Sequence, residues 1–183
     1  VLGANGVDAK DVKIVNLAPT ALVGALLQHT VDAIVGGADG QAPVLRSQGA
    51  DINVLYFYKF GVPTVGLSII ANKAYAGQNP SVVSRFVEAS LRGWAAAKEN
   101  PEAAAKSVIA QFPEAGSLSV VQDQFQVNAD VLCAAEGATT MGSVPDASWT
   151  TTVDLLQKYA ELPSTPAPMD NVTSKFLPKD PPG

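Results

Sequence analysis

The sequence predicts an α/β protein built as two lobes, and three observations carry that expectation. Over the first sixty residues, short stretches rich in β-branched side chains alternate with helical ones. Over the last hundred, nearly every stretch has helical periodicity. A single extended run, GVPTVGLSIIAN at residues 61–72, joins the two halves. Alternating strand and helix is the pattern of a layered α/β structure. A change of character across one connector points to two lobes rather than one core.

Element by element, the opening VLGANG reads as the last turn of a helix with Gly6 as its stop, and the absence of an initiator Met places the natural N-terminus upstream. Residues 12–17, VKIVNL, alternate and are β-branched, so a strand is expected. Pro19 and Thr20 open a helix, TALVGALLQHT, with Leu22, Ala25 and Leu26 on one side. Residues 31–35 form the next expected strand, which runs into Gly36, Gly37, Ala38, Asp39 and Gly40. A core strand ending in residues with almost no side chains has two readings: a tight turn, or a surface where something must approach the backbone. APVLRSQG is a short helix stopped by Gly49, and residues 52–58, INVLYFY, are a third strand. In the connector, Gly66 marks a bend or close backbone approach within an extended run.

Beyond it, Asn79-Pro80 is a helix start signal, and Val83, Phe86, Val87, Leu91 and Trp94 then fall on one face. Asn100-Pro101-Glu102 repeats the signal for a helix that stops at Pro113. Residues 117–135 make a third helix. Residues 146–162 make a fourth, with Trp149, Val153, Leu156 and Tyr159 on its inner side. The tail from Pro163 is Pro-rich and wraps the surface, with NVTSKFL docking a short helix.

Composition excludes several function classes. The 183 residues are 47% hydrophobic but only 16% charged, against about 25% in an average soluble domain. That charge deficit suggests that part of the surface is covered by something outside this sequence. No stretch approaches the roughly 20 apolar residues of a membrane span. The net charge is −5 and the twelve basic residues are scattered, so nucleic acid is not an expected partner. One cysteine, Cys133, excludes an internal disulfide and a multi-cysteine zinc site. No His, Cys or carboxylate cluster has metal-ligand spacing, so no metal site is expected. The one histidine, His29, sits near the end of an apolar helix and reads as a structural or surface residue rather than a catalytic one. GGADG is the nearest approach to a phosphate loop, but it lacks the lysine and the spacing. No nucleophile–base pair and no poised carboxylate pair is visible, so neither a catalytic residue nor a cofactor is assigned.

Several motifs then fall into a familiar order. Gly6-Val7-Asp8 precedes the VKIV strand, the Pro19-started helix and Val31-Asp32-Ala33; further on stand Gly61-Val62-Pro63 and Ile69-Ile70-Ala71-Asn72. Asn79-Pro80 with Arg85-Phe86 and Asn100-Pro101-Glu102-Ala103-Ala104 complete the set. In order and spacing the chain resembles, from about residue 1 to about residue 177, the nitrate, sulfonate and thiamin-pyrimidine-precursor group of solute-binding proteins for ABC importers.

The resemblance implies a two-lobed type II periplasmic-binding-protein fold, of which this chain holds a part. Residues 1–60 would be the later part of the second α/β lobe, 61–72 the return crossing strand that acts as hinge, and 73–183 the helix-rich C-terminal half of the first lobe. The family's N-terminal hundred or so residues are not in this sequence. The implied function is capture of a small organic solute, of sulfonate, nitrate, pyrimidine-precursor or aromatic-acid type. The implied partner is an ABC permease, the location periplasmic or extracytoplasmic and membrane-anchored, and the state a monomer. On that reading Gly36, Gly37, Ala38 and Asp39 face the ligand cleft, where small residues let a flat or branched ligand reach the main chain. An acidic residue stands near the position of Gly37 in amino-acid-binding relatives of this fold; Asp39 is a substitute for it or a turn residue. Tyr58 stacks on a ligand or packs in the core, Thr64 offers a hydroxyl beside Pro63, and Asn16 flanks the turn before the second-lobe helix. Two other readings remain open: an enzyme of thiamin-pyrimidine biosynthesis, for which one His and one Cys are meagre, and a solute-sensing receptor domain.

Overall fold

The structure is a computed structural model that describes residues 1–131, 140–160 and 172–181. The chain divides into two compact units, Val1–Gly61 with Asn100–Asn128, and Val62–Glu99 with Ala129–Gly183.

In the first unit, order begins at sharp local stops. A short 3-10 turn, Gly3–Asn5, ends at left-handed Gly6 (φ 72°). The Asn5 side-chain amide donates to the carbonyls of Val1 (2.9 Å) and Phe60 (3.0 Å), tying the two ends of the first sixty residues together. Asp8 caps the next 3-10 turn, Ala9–Asp11, by accepting from the Lys10 N–H. A 3-10 turn at Pro19–Ala21 leads into α1, Leu22–Leu27. This helix is stopped by a histidine: His29 takes up φ 53°, and the Thr30 N–H reaches back to the Ala25 carbonyl at 3.0 Å. That is the geometry in which glycine usually serves. Helix α2, Gln41–Ser47, closes the same way at Gly49 (φ 78°), with the Ala50 N–H on the Leu45 carbonyl. Helix α5, Pro101–Gln111, starts where Asn100 accepts the Ala103 N–H at 3.0 Å, with proline at the first helical position. Ala42 and Leu45 of α2, Ala105 of α5, and Val121 and Val127 of α6 (Leu118–Val131) are buried.

In the second unit, α3, Lys73–Gln78, is capped by Asn72 accepting from the Tyr75 N–H. The sequence reading gave no sign of this helix. Helix α4, Pro80–Glu99, follows at once. Val83, Val87 and Leu91 form a buried row along α4 and pack with Ala76 and Met141. Trp94, Ala95, Phe176 and Leu177 close over that cluster. Phe86, expected on the same face, is 60% exposed. The Asn79 side chain does not cap α4; it donates back to the Tyr75 carbonyl at 3.1 Å. Helix α7, Asp146–Ala160, turns Leu156 and Tyr159 outward and buries Thr152. The Thr152 hydroxyl donates to the Ser148 carbonyl and accepts the Val65 N–H, both at 2.8 Å, which fixes the start of the extended connector.

The individual strands expected at residues 12–17, 31–35 and 52–58 are not formed. No strand forms among the described residues. Residues 12–17, 31–35 and 61–72 run as unpaired chain, and residues 52–58 lead into a 3-10 turn, Phe57–Phe60. β-branched residues favour extended backbone, but a strand also needs a neighbour to complete its ladder. Here no described segment supplies one, and Ile14, Val35, Leu55, Leu67 and Ile70 stand 67–92% exposed. The expected end of the third long helix, Cys133, residues 161–162 of the fourth and the tail at 163–171 lie outside the described residues. Around residues 172–177 the described backbone makes a turn closed by the Leu177 N–H on the Ser174 carbonyl, and no helix.

Two measurements test this packing. Leu91→Ala should cost about 2–5 kcal/mol in urea unfolding because its site is closed on all sides, whereas Ile70→Ser should change stability by less than about 0.5 kcal/mol. Glu102 has its carboxyl held below the ordinary value, first by the hydrogen bond from Lys106 one turn on and then by that lysine's charge. A lowered folded-state value means that the pair's contribution is present above the unfolded-state value and disappears as pH falls through the folded one. The stability difference between wild type and Glu102→Gln should therefore shrink as pH is lowered from neutral into the acid range.

Candidate functional site

The corner at residues 36–41 is built around one carbonyl. The Gly37 oxygen accepts from the Gly40 N–H (3.0 Å) and the Gln41 N–H (3.1 Å), and so turns the extended chain into the first turn of α2. Gly36 and Gly37 are exposed, while Ala38 and Asp39 are half-buried. Neither glycine here is left-handed, so backbone conformation does not call for them. Space does. A Cβ on Gly36 would lie 2.5 Å from Gln41 Oε1, and one on Gly37 would lie 2.8 Å from Asp39 Oδ1. Each glycine makes room for a side-chain oxygen that folds back over the main chain.

Those two oxygens differ in their surroundings. Asp39 has a partner, since Asn128 of α6 donates to its Oδ2 at 3.4 Å. Gln41 Oε1 is buried and has no hydrogen-bond partner. Five residues further along α2, Arg46 donates to both carboxylate oxygens of Asp123 at 3.2 and 3.0 Å. Asp39–Asn128 and Arg46–Asp123 thus fasten the two ends of α2 to α6. A shallow depression on α6, lined by Ser119, Gln122, Asp123 and Gln126, does not include the glycine corner.

The remaining expected site residues lie apart from the corner in sequence. Asn16 is exposed in an unpaired segment. Tyr58 lies in the 3-10 turn at Phe57–Phe60 and is 40% exposed. Its ring is 5.7 Å from that of Tyr56, and Lys59 Nζ lies 5.4 and 5.8 Å from the two ring centres. The tyrosine pair therefore carries a cation on its face rather than lying in a core. Thr64 is exposed and belongs to the second unit, where its N–H closes a tight turn on the Val62 carbonyl. No hydrogen bond or ring contact joins Asn16, Tyr58 or Thr64 to the corner among the described residues. The sequence reading passed over Gln41 and Asn128. For Gln41 a signal was present: a polar amide directly after a run of glycines, at the first position of a helix.

No group of three or more His, Cys, Asp or Glu side chains is placed to hold a metal among the described residues. None of the described helices is long and apolar enough to cross a membrane.

The family pattern described as NMT1/THI5 like matches residues 1–104, more than half of the 183. The chain belongs to this family. The family has the periplasmic-binding-protein fold. Riboflavin-binding protein RibY of Chloroflexus aurantiacus is 31% identical over 185 residues, covering 97% of this chain and 51% of that protein. The formylaminopyrimidine-binding protein of Halalkalibacterium halodurans is 30% identical over 117 residues, covering 57% of this chain and 36% of that protein. The chain spans about half the length of the first relative and about a third of the second.

The ion pair at the far end of α2 allows a direct test. Both side chains are partly exposed, at 42% and 30%, so a double-mutant cycle through Arg46→Met and Asp123→Asn should give a coupling of about 0.5–1 kcal/mol, falling in high salt.

Proposed function

We propose that this chain is the solute-binding component of an ABC-type importer, and that it captures a small organic solute for delivery to a membrane permease. The observation that carries the proposal is family membership together with a relative, similar over almost the whole chain, that is named for the vitamin it binds. Both named solutes contain a flat nitrogen heterocycle, which narrows the solute class from the sulfonates, nitrate, pyrimidine precursors and aromatic acids open to the wider group. The corner at residues 36–41 suits such a guest. Exposed glycine main chain admits a flat ring at close range, and Asp39 and Gln41 bring oxygens to its rim.

On this reading the protein works outside the cytoplasm as a monomer and has the two-lobed type II architecture, with residues 61–72 as hinge. The solute is enclosed as the lobes close by hinge motion. Gly36, Gly37, Ala38, Asp39, Tyr58, Thr64 and Asn16 are its proposed contacts. The protein makes no covalent change to the solute.

A thermal-shift screen tests the proposal. A solute at a hundred times its dissociation constant stabilises the folded state by about 2.7 kcal/mol, which for a chain of this size is a rise in melting temperature of roughly 5–10 °C. Riboflavin or an aminopyrimidine should produce such a rise. Flat melting curves across both heterocycles, taurine, nitrate and benzoate would count against solute capture.

A further inference from the structure

We propose that Gln41 is the specificity-determining residue of the corner, reading the hydrogen-bonding edge of a nitrogen heterocycle by its carboxamide. The inference rests on the solute-binding reading above and adds to it a residue and a chemical rule for the ligand.

The first support is an unused group. Gln41 Oε1 is buried without a hydrogen-bond partner. A buried acceptor left unsatisfied is a standing penalty on the folded state, and native structures keep such groups where they serve a purpose. Gln41 is not spent on capping, for α2 has no side-chain cap bond.

The second support is its setting. The oxygen sits over Gly36, within 2.5 Å of where any larger residue would place its Cβ, so the missing side chain is what allows the amide to lie there. Gly36 and the adjacent Gly37 are exposed. The neighbouring Asp39 carboxylate lies over Gly37 and is steadied by Asn128. Reaching the open face of the turn takes a step of the inner side-chain torsions from one staggered well to another, and the broad terminal torsion of a glutamine then turns either the donor or the acceptor toward a ligand.

The third support is chemical fit. A carboxamide presents a donor and an acceptor side by side. So does the C=O/N–H edge of a cyclic imide, and so does the ring-nitrogen/amino edge of an aminopyrimidine. Glutamine reads the amino edge of adenine in this two-bond manner. A site that spends a polar group on an N–H rejects the analogue lacking it far more strongly than a greasy pocket rejects a methyl group.

The test compares ligand pairs that differ only in that N–H. Calorimetry would measure riboflavin against its N3-methyl derivative, and 4-aminopyrimidine against 4-(dimethylamino)pyrimidine, on wild type and on Gln41→Leu. Wild type should prefer the N–H partner of at least one pair by about tenfold or more. Gln41→Leu should reduce that preference to within about threefold, while the ligand-free protein melts no lower than wild type because an orphaned acceptor has gone. Gln41→Met serves in the same role if the leucine variant fails to fold. A preference that survives in the variants, or a wild type that binds both members of each pair equally, overturns the role of Gln41 and leaves solute capture standing. If wild type binds none of the four, the Gln41 assignment falls, and the wider solute screen decides separately whether capture falls with it.

Discussion

A backbone N–H removed from water needs an acceptor, and where the chain finds one shapes everything else. Outside the helices, each described main-chain donor that bonds to a main-chain oxygen finds it within five residues. Among the described residues no ladder carries the main chain from one distant segment to another. Links across long stretches of sequence therefore fall to a few side chains: Asn5 on the Phe60 carbonyl, Arg46 on Asp123, Asn128 on Asp39, and Thr152 under the Val65 N–H. Each is a polar group meeting its partner at or near a turn. Around these links the apolar clusters are small, and the row Val83, Val87, Leu91 with Met141 is the clearest of them.

The glycine corner shows how local shape and chemistry meet. Gly36 and Gly37 are adjacent, and each leaves room for a different oxygen, one from an amide and one from a carboxylate. The same turn launches α2, whose far end is held to α6 by Arg46. The position of the polar rim is thus set by a helix that is fastened at both ends. Membership of the NMT1/THI5-like family places this geometry in a chain that spans about half the length of the riboflavin-binding relative it matches.

Much of the helical layout was legible in the sequence because helices are decided locally. Gly6 and Gly49 stop their elements in the left-handed region, and Asn100-Pro101 opens α5 with the expected cap. Three- and four-residue spacing picked out Val83, Val87 and Leu91. The failures share a cause. β-propensity over residues 12–17, 31–35 and 52–58 reports backbone preference, while a strand is a relation between two segments, and the second segment is not written in the first. Face assignment failed similarly at Phe86, Leu156 and Tyr159, where the periodicity held but the neighbour it called for is absent from the described residues. Asn79 misled because one side chain had two possible uses and took the earlier helix. At the corner, the glycines were legible as a tight turn or a place of close approach to the backbone. What fills the space, the oxygens of Gln41 and Asp39, was not, because it depends on side-chain rotamers.

Both tryptophans belong to the second unit, Trp94 on α4 and Trp149 on α7. Indole emission consequently originates in that unit. The only phenol rings in the first unit are Tyr56 and Tyr58, which sit together under a lysine. The pair beside Lys59 is therefore the intrinsic optical probe of the unit that carries Asp39 and Gln41.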